Sequence, residues 1–111
     1  MKKYQLGEFE ELVILTVGIL GGNAYSVAIK AEIETRLSRG VSMGALHTAL
    51  KRLEDKDYLK SRAGEATDER AGRPKRYFEI TAIGKKAMLY TKTSREELWK
   101  AIPKTVFQFS Y

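Results

Sequence analysis

The chain has 111 residues, of which 43% are hydrophobic and 31% charged, and its formal net charge of +6 favours a polyanionic partner such as nucleic acid. This size and composition are typical of one globular domain with a modest core, and the absence of cysteine excludes disulfides, thiolate zinc sites and cysteine catalysis. The longest apolar run, residues 12–20, is too short to span a bilayer, so we expect no membrane contact and a cytoplasmic location.

The first predicted helix, EFEELVILTVGIL from Glu8, carries glutamates at its start, where they favour the positive end of the helix dipole. From residue 12 it is apolar on nearly every side, so it must be buried on more than one face. A domain this small does not easily surround such a helix. We therefore expect a second copy of the chain to cover part of it, at Val13 and Val17. Gly21 and Gly22 end the helix.

A second helix is predicted over residues 24–38, with Asn23 as its N-cap and Gly40 after its end. A short turn then leads to a third helix, and two helices joined in this way predict a helix-turn-helix. The core-facing stripe of the second helix recurs every four residues, at Tyr25, Ile29, Ile33 and Leu37.

Residues 42–60 predict a short amphipathic helix that is followed at once by a strand. Its apolar face consists of Leu46, Ala49, Leu50 and Leu53, with Ser42 ahead of them as an N-cap. Small, polar and basic side chains fill the other face, as a DNA major groove requires; the alternative is a solvated face on a structural helix. The predicted DNA-binding residues here are Ser42, Met43, Gly44, His47, Thr48, Lys51 and Arg52.

After residue 57 the hydrophobic pattern alternates. Residues 58–63 and 76–80 predict two antiparallel strands joined by a long loop, and a helix-turn-helix followed by such a hairpin is the winged-helix order. The end of the loop is basic and is predicted to follow the phosphate backbone or enter the minor groove, through Arg73, Lys75 and Arg76. Acidic residues in the first half of the loop favour the alternative, a solubilising loop.

Thr81 is predicted to cap a last helix over residues 82–101. This helix follows a complete winged-helix core, so its apolar face needs another partner, and a two-fold dimer supplies one. The dimer residues predicted on it are Ala87, Tyr90, Thr91, Ser94 and Leu98. Met88 and Trp99 widen the face as candidate lining for a small aromatic effector, the alternative being plain dimer-core side chains.

These elements predict a mainly α (α+β) chain. A winged helix-turn-helix DNA-binding region over residues 1–80 continues into a C-terminal dimerisation helix and tail over residues 81–111, as one continuous domain. One histidine and scattered carboxylates offer no catalytic triad, zinc set or phosphate loop, so neither an enzyme nor a cofactor is expected. Three functions fit the pattern: a regulator that binds double-stranded DNA, a winged-helix protein-interaction module that reads no DNA, and a regulator whose main role is to sense a ligand.

The chain resembles the PadR family of transcriptional regulators in four blocks between residues 6 and 99. LGEFEELVILTVGIL resembles the opening helix, AYSVAI the second helix, VSMGAL the recognition-helix block, and GRPKRYF with the following ITAIG the wing and the start of the final helix. The resemblance implies a homodimer, usually a repressor of a palindromic operator, that dimerises through the final helix with help from the first. It also implies, in some members, a response to phenolic acids or planar cationic drugs. His47 stands where the family commonly has tyrosine.

Overall fold

The computed structural model describes residues 4–64 and 75–108. Within them, four α-helices and two β-strands follow one another as α1 (Glu8–Leu20), α2 (Ser26–Leu37), α3 (Met43–Asp55), β1 (Leu59–Ala63), β2 (Arg76–Ile80) and α4 (Ala82–Ala101). Short 3-10 turns, Gly21–Asn23 and Lys104–Phe107, follow α1 and α4. This order confirms the predicted mainly helical winged helix-turn-helix. None of the described helices is both long and apolar enough to cross a membrane.

The core is built around α1, which contacts α2, α3 and β2 at once. Its Val13 and Ile14 are completely buried in the core cluster, which also contains side chains from all three neighbours. The predicted apolar face of α3 is confirmed, since all four of its members are buried. In α2, Ile29 and Ile33 enter the core as predicted, but Leu37 is exposed because the helix ends there at the surface. One core therefore holds the helix-turn-helix and the hairpin in a fixed relation.

The two strands form an antiparallel hairpin in which Ser61 lies opposite Phe78. The other edge of β2 is bridged by Tyr25, opposite Tyr77, and the Phe78 N–H donates to the Ala24 carbonyl at 2.8 Å. The segment between α1 and α2 therefore serves as a minimal third strand.

The predicted start of α2 is wrong, because residues 24 and 25 belong to this third strand. Asn23 lies in the 3-10 turn and caps no helix, and α2 begins at Ser26, after an extended Tyr25 whose side chain makes no capping hydrogen bond. Pairing with β2 keeps residues 24 and 25 extended, so the helix starts two residues later than its local sequence indicates. Gly21, at φ +58°, ends α1 as predicted, because that conformation favours glycine.

The buried carboxylate of Glu10 joins the start of α1 to the end of α3. Its Oε1 accepts hydrogen bonds from the Gly7 N–H at 2.8 Å and from Lys56 Nζ at 2.7 Å, and the same Nζ donates to the Gln5 carbonyl at 2.9 Å. Burial raises the pKa of Glu10, but the bonds from Lys56 and Gly7 and the charges of Lys56 and Arg52 outweigh burial and hold that pKa below its ordinary value of 4.5. The ionised Glu10 therefore helps to fix α3 relative to α1.

Candidate nucleic-acid interface

The outward face of α3 presents most of the side chains predicted to read DNA. Ser42 begins the helix, with its Oγ accepting a hydrogen bond from the Ala45 N–H at 3.1 Å. Burial of the apolar face turns the opposite face to solvent, and small or polar side chains come first along it, with basic ones in later turns. A major groove accommodates this arrangement. The exposed members of the predicted set are Ser42, Gly44, His47, Thr48, Lys51 and Arg52.

Met43 differs from the rest of this set because it is only partly exposed and packs against the core. Gly44, beside it, has open space where a β-carbon would point. The accessible surface at the start of α3 is therefore low and flat at Gly44, so another molecule could approach the backbone closely there.

The lysine on this face is only weakly restrained. Lys51 Nζ lies 3.5 Å from Asp55 Oδ1, one turn further along α3, and both side chains are largely exposed. An exposed pair of this kind contributes little to stability because water competes for both groups. Lys51 can therefore exchange Asp55 for a phosphate at little cost.

A chain of hydrogen bonds connects the hairpin to the last turn of α3. Arg76 Nη1 donates to Ser61 Oγ at 2.7 Å, and the Ser61 hydroxyl donates to Glu54 Oε2 at 2.7 Å. Arg76 itself is exposed, as its predicted role requires. The predicted contact at Arg73 lies outside the described residues.

Two neighbouring tyrosine rings lie between two cations at the hairpin. Arg62 Cζ lies 4.8 Å from the ring centroid of Tyr77, and Tyr77 meets Tyr25 edge to face with their centroids 5.6 Å apart. Lys75 Nζ lies 4.4 Å from the ring centroid of Tyr25. We call Arg62, Tyr77, Tyr25 and Lys75 the cation–tyrosine row. Of its members, sequence reasoning identified only Lys75 as a functional residue. Strand alternation could have placed Arg62 beside Tyr77, but no local signal brings Tyr25 to them.

One ion pair fastens α4 to α1. The guanidinium of Arg95 donates to Glu11 Oε1 from Nη2 at 2.7 Å and from Nε at 3.1 Å. This hydrogen bonding raises the pKa of Arg95, and the negative charge of Glu11 raises it further. Arg95 also lies between two grooves: one lined by Leu15, Met88, Leu89 and Trp99, the other by Tyr4, Leu6, Tyr90 and Leu98.

Large apolar side chains remain exposed along α4 and on the neighbouring face of α1. We call them the α4 apolar surface; they are Leu98 (72% exposed), Trp99 (64%), Leu89 (62%), Tyr90 (53%), Ile19 (52%) and Leu15 (44%). Of the residues predicted for dimer contact, Tyr90, Ser94 and Leu98 are exposed and Thr91 is half-buried. Exposed apolar surface of this extent marks an interaction site more often than a solvated face.

Three other residues predicted for dimer contact need correction. Val13, Val17 and Ala87 are buried in the core of their own chain, so their side chains cannot meet a second copy while this fold is intact. The reason is that α1 is apolar around its circumference, and its sequence does not reveal which side packs on α2 and α3. The side left uncovered carries Leu15 and Ile19.

Met88 and Trp99, the candidate effector residues, line the same groove between α4 and α1. The indole of Trp99 also stacks on the ring of Phe107 from the tail, with centroids 6.0 Å apart and planes 16° apart. Trp99 thus already holds one flat ring in the single chain. In the part of the chain that the structure describes, no group of three or more His, Cys, Asp or Glu side chains could hold a metal ion.

Comparison with known proteins identifies one family. The model of the transcriptional regulator PadR-like family matches residues 14–89. Among solved structures, a PadR-like transcription factor from Bacteroides fragilis is 25% identical, with a TM-score of 0.69 over 83% of this chain and 84% of that one. A PadR family transcription regulator from Clostridium difficile is 26% identical, with a TM-score of 0.65 over 83% of this chain and 92% of that one. No curated protein matches the chain.

Proposed function

The chain belongs to the PadR-like family of transcriptional regulators, which makes it a DNA-binding regulator and not an enzyme, and from this we propose that it is a homodimeric repressor of a palindromic operator. Residues 1–80 would bind DNA and residues 81–111 would join the two copies. Its proposed place of action is the cytoplasm, where it would meet its operator. The observation that carries the proposal is the face of α3, whose small, polar and basic side chains are exposed while the whole opposite face is buried.

The residues proposed to contact DNA bases and phosphates follow from the exposed face of α3. Gly44, His47 and Thr48 would lie against base edges, and each good base contact is worth roughly 1–3 kcal/mol of discrimination. Lys51, Arg52, Lys75 and Arg76 would bind phosphates. Since such contacts release counterions, the affinity should fall steeply as salt rises.

The α4 apolar surface supports the dimer. A two-fold axis beside α4 would pack part of this surface against the same surface of the second copy, as an isologous interface does. Two copies of α3 would then face one side of a duplex about 34 Å apart, or one helical turn. That spacing is what makes a palindromic operator the matching target.

The groove containing Met88 and Trp99 supports an effector site at the same interface. A flat aromatic molecule could lie against the indole in the place that Phe107 takes in the single chain. Such a molecule would change DNA affinity only by binding one spacing of the two α3 helices better than another.

The experiment that tests the function is selection of bound duplexes from a random pool, followed by titration of the selected duplex at several salt concentrations. We expect a palindromic sequence, a steep salt dependence and weaker binding by Lys51→Ala. Lys100→Ala, which removes the same charge from an exposed position on α4, is the matched control and should bind as the wild type does.

The alternative, a winged-helix module that binds protein and reads no DNA, predicts different results. The pool would yield no preferred sequence, and Lys51→Ala and Lys100→Ala would behave alike. Either result would count against the operator-reading function.

A further inference from the structure

Carboxylates neutralise many of the basic side chains that the structure describes. In each of these ion pairs the carboxylate lowers the local positive charge, so a phosphate must displace that carboxylate to bind the cation. The pairs are Lys30–Glu34, Arg36–Glu32, Lys51–Asp55, Lys56–Glu10, Lys60–Glu79 and Arg95–Glu11.

The two cations of the cation–tyrosine row are held differently. Arg62 rests on the ring of Tyr77 and Lys75 on the ring of Tyr25, and neither contact removes charge. A ring face also uses none of the N–H donors that a phosphate would accept from. As far as residues 4–64 and 75–108 are concerned, both cations are therefore fixed in place with their charge and hydrogen-bonding capacity intact.

The row is continuous across three separate segments. Arg62 lies in β1, Tyr77 opposite it in β2, and Tyr25 in the extended segment that bridges β2 ahead of α2. Edge-to-face packing of Tyr77 on Tyr25 joins the two cation–ring pairs. The position of each cation is thus set by the backbone pairing of the hairpin, although its own side chain is long and unbranched.

We propose that Tyr25 and Tyr77 are positioning residues that hold Lys75 and Arg62 for the phosphate backbone of bound DNA. This inference rests on the proposed DNA-binding function and adds Arg62 to it as a phosphate contact. Lys60 provides the contrast, since it lies two residues before Arg62 on the same face of β1 and is paired with Glu79 at 3.5 Å.

The first test is a comparison within β1, made with the duplex selected above. Arg62→Gln and Lys60→Gln each remove one positive charge from the same face of the same strand. Because the proposed dimer carries each substitution twice, we expect Arg62→Gln to reduce the slope of log affinity against log salt by about 1.8, the value for one phosphate contact in each copy. Lys60→Gln should reduce the slope less, because the Glu79 carboxylate opposite Lys60 repels a phosphate. Equal slopes for the two variants would overturn the assignment of Arg62.

The second test is a double-mutant cycle on Tyr25 and Lys75. We expect Lys75→Gln to weaken binding about three- to tenfold in the wild type but hardly at all in Tyr25→Leu, because without the ring Lys75 is no longer held. Tyr25→Phe keeps the ring face and should bind like the wild type. A purely structural Tyr25 would lower the melting temperature and leave the effect of Lys75→Gln equal in both backgrounds.

A third measurement needs no variant. Seated over a ring, the ε-methylene protons of Lys75 should resonate upfield of their position in an unstructured peptide. A Lys75 signal at the unstructured position in the folded protein would overturn the proposal even if Tyr25→Leu did not fold.

A wild-type protein that bound no DNA would overturn the proposed function together with this inference. Equal effects in the cycle, with wild-type binding intact, would overturn the inference alone.

Discussion

A β-carbon added to Gly84 would lie 2.2 Å from the carbonyl oxygen of Tyr58. Gly84 belongs to the first turn of α4, and Tyr58 follows the turn at the end of α3. The same carbonyl accepts a hydrogen bond from the Thr81 N–H at 3.0 Å, and the Gly84 N–H donates to Thr81 Oγ1 at 2.9 Å. The start of α4 is thus seated on the backbone that connects α3 to the hairpin, so any change at Gly84 would shift α4 relative to α3.

Gly84→Ala should therefore lower the free energy of unfolding by about 3 kcal/mol, the upper part of the range for overpacking, since backbone cannot yield as a flexible side chain does. Urea denaturation measures the change. Gly40→Ala, whose β-carbon would meet open space, is the control and should be nearly neutral. A Gly84→Ala protein as stable as the wild type would show that the two segments separate easily.

Gly44→Ala should separate stability from function. The position is exposed, helical and open, so alanine should raise the free energy of unfolding by up to about 1 kcal/mol through helix propensity. The added methyl group would stand on the surface proposed to meet base edges, and we expect affinity for the palindromic operator to fall about a hundredfold, the size of one lost base contact in each copy.

Denaturant unfolding and a DNA titration on the same Gly44→Ala sample check both parts. Gly22→Ala fills open space in the turn after α1, away from the reading face, and should leave DNA affinity unchanged. Unchanged affinity in Gly44→Ala would remove the start of α3 from the interface.

Glu10→Gln should change the pH dependence of stability. The folded-state pKa of Glu10 is lowered below 4.5, so ionised Glu10 stabilises the fold fully above about pH 4.5, and this contribution is lost as the pH falls through the lower, folded-state pKa. At pH 7 we expect Glu10→Gln to lower the free energy of unfolding by about 1–2 kcal/mol, as expected for hydrogen bonds to a charged group. Near pH 2 the two proteins should be equally stable.

Urea unfolding at several pH values between 2 and 7 gives the curves for this comparison. Glu97→Gln, at an exposed position on α4, is the control and should follow the wild type throughout. A constant difference between Glu10→Gln and the wild type at every pH would mean that the carboxylate charge is not the cause.

The sequence predicted correctly those features of the fold that depend on residues close together along the chain. Ser42 and Thr81 cap α3 and α4 as their sequences indicate, because an N-cap bond reaches only three residues along the chain. The predicted start of α2 was wrong because Tyr25 is bridged to Tyr77, 52 positions away, and that pairing overrides the capping signal at Asn23. A single helix or strand gives no sign of such a partner.

The candidate site also has one part that the sequence predicted and one part that it did not. The exposed face of α3 follows from the spacing of its four buried side chains, so sequence periodicity predicted it. Sequence periodicity did not predict the exposed side of α1, because a helix that is apolar all round does not indicate whether Val13 or Leu15 packs in the core. Arg62 was not among the predicted DNA contacts, because its contact with the ring of Tyr77 follows from the register of the hairpin and not from the residues beside it in the sequence.

Leu98→Glu should convert the proposed dimer into a monomer. Leu98 is the most exposed residue of the α4 apolar surface, and a carboxylate there would be buried against its symmetry mate or a neighbouring leucine at a cost of several kcal/mol. Sedimentation should show half the wild-type mass, and affinity for the palindromic operator should fall about a hundredfold, because the two reading helices would no longer bind as one unit. Leu37→Glu places the same charge at an exposed leucine at the end of α2 and should leave the mass unchanged. If Leu98→Glu sediments with the wild type, the two copies do not meet along α4, and the spacing argument for a palindromic operator fails with that interface.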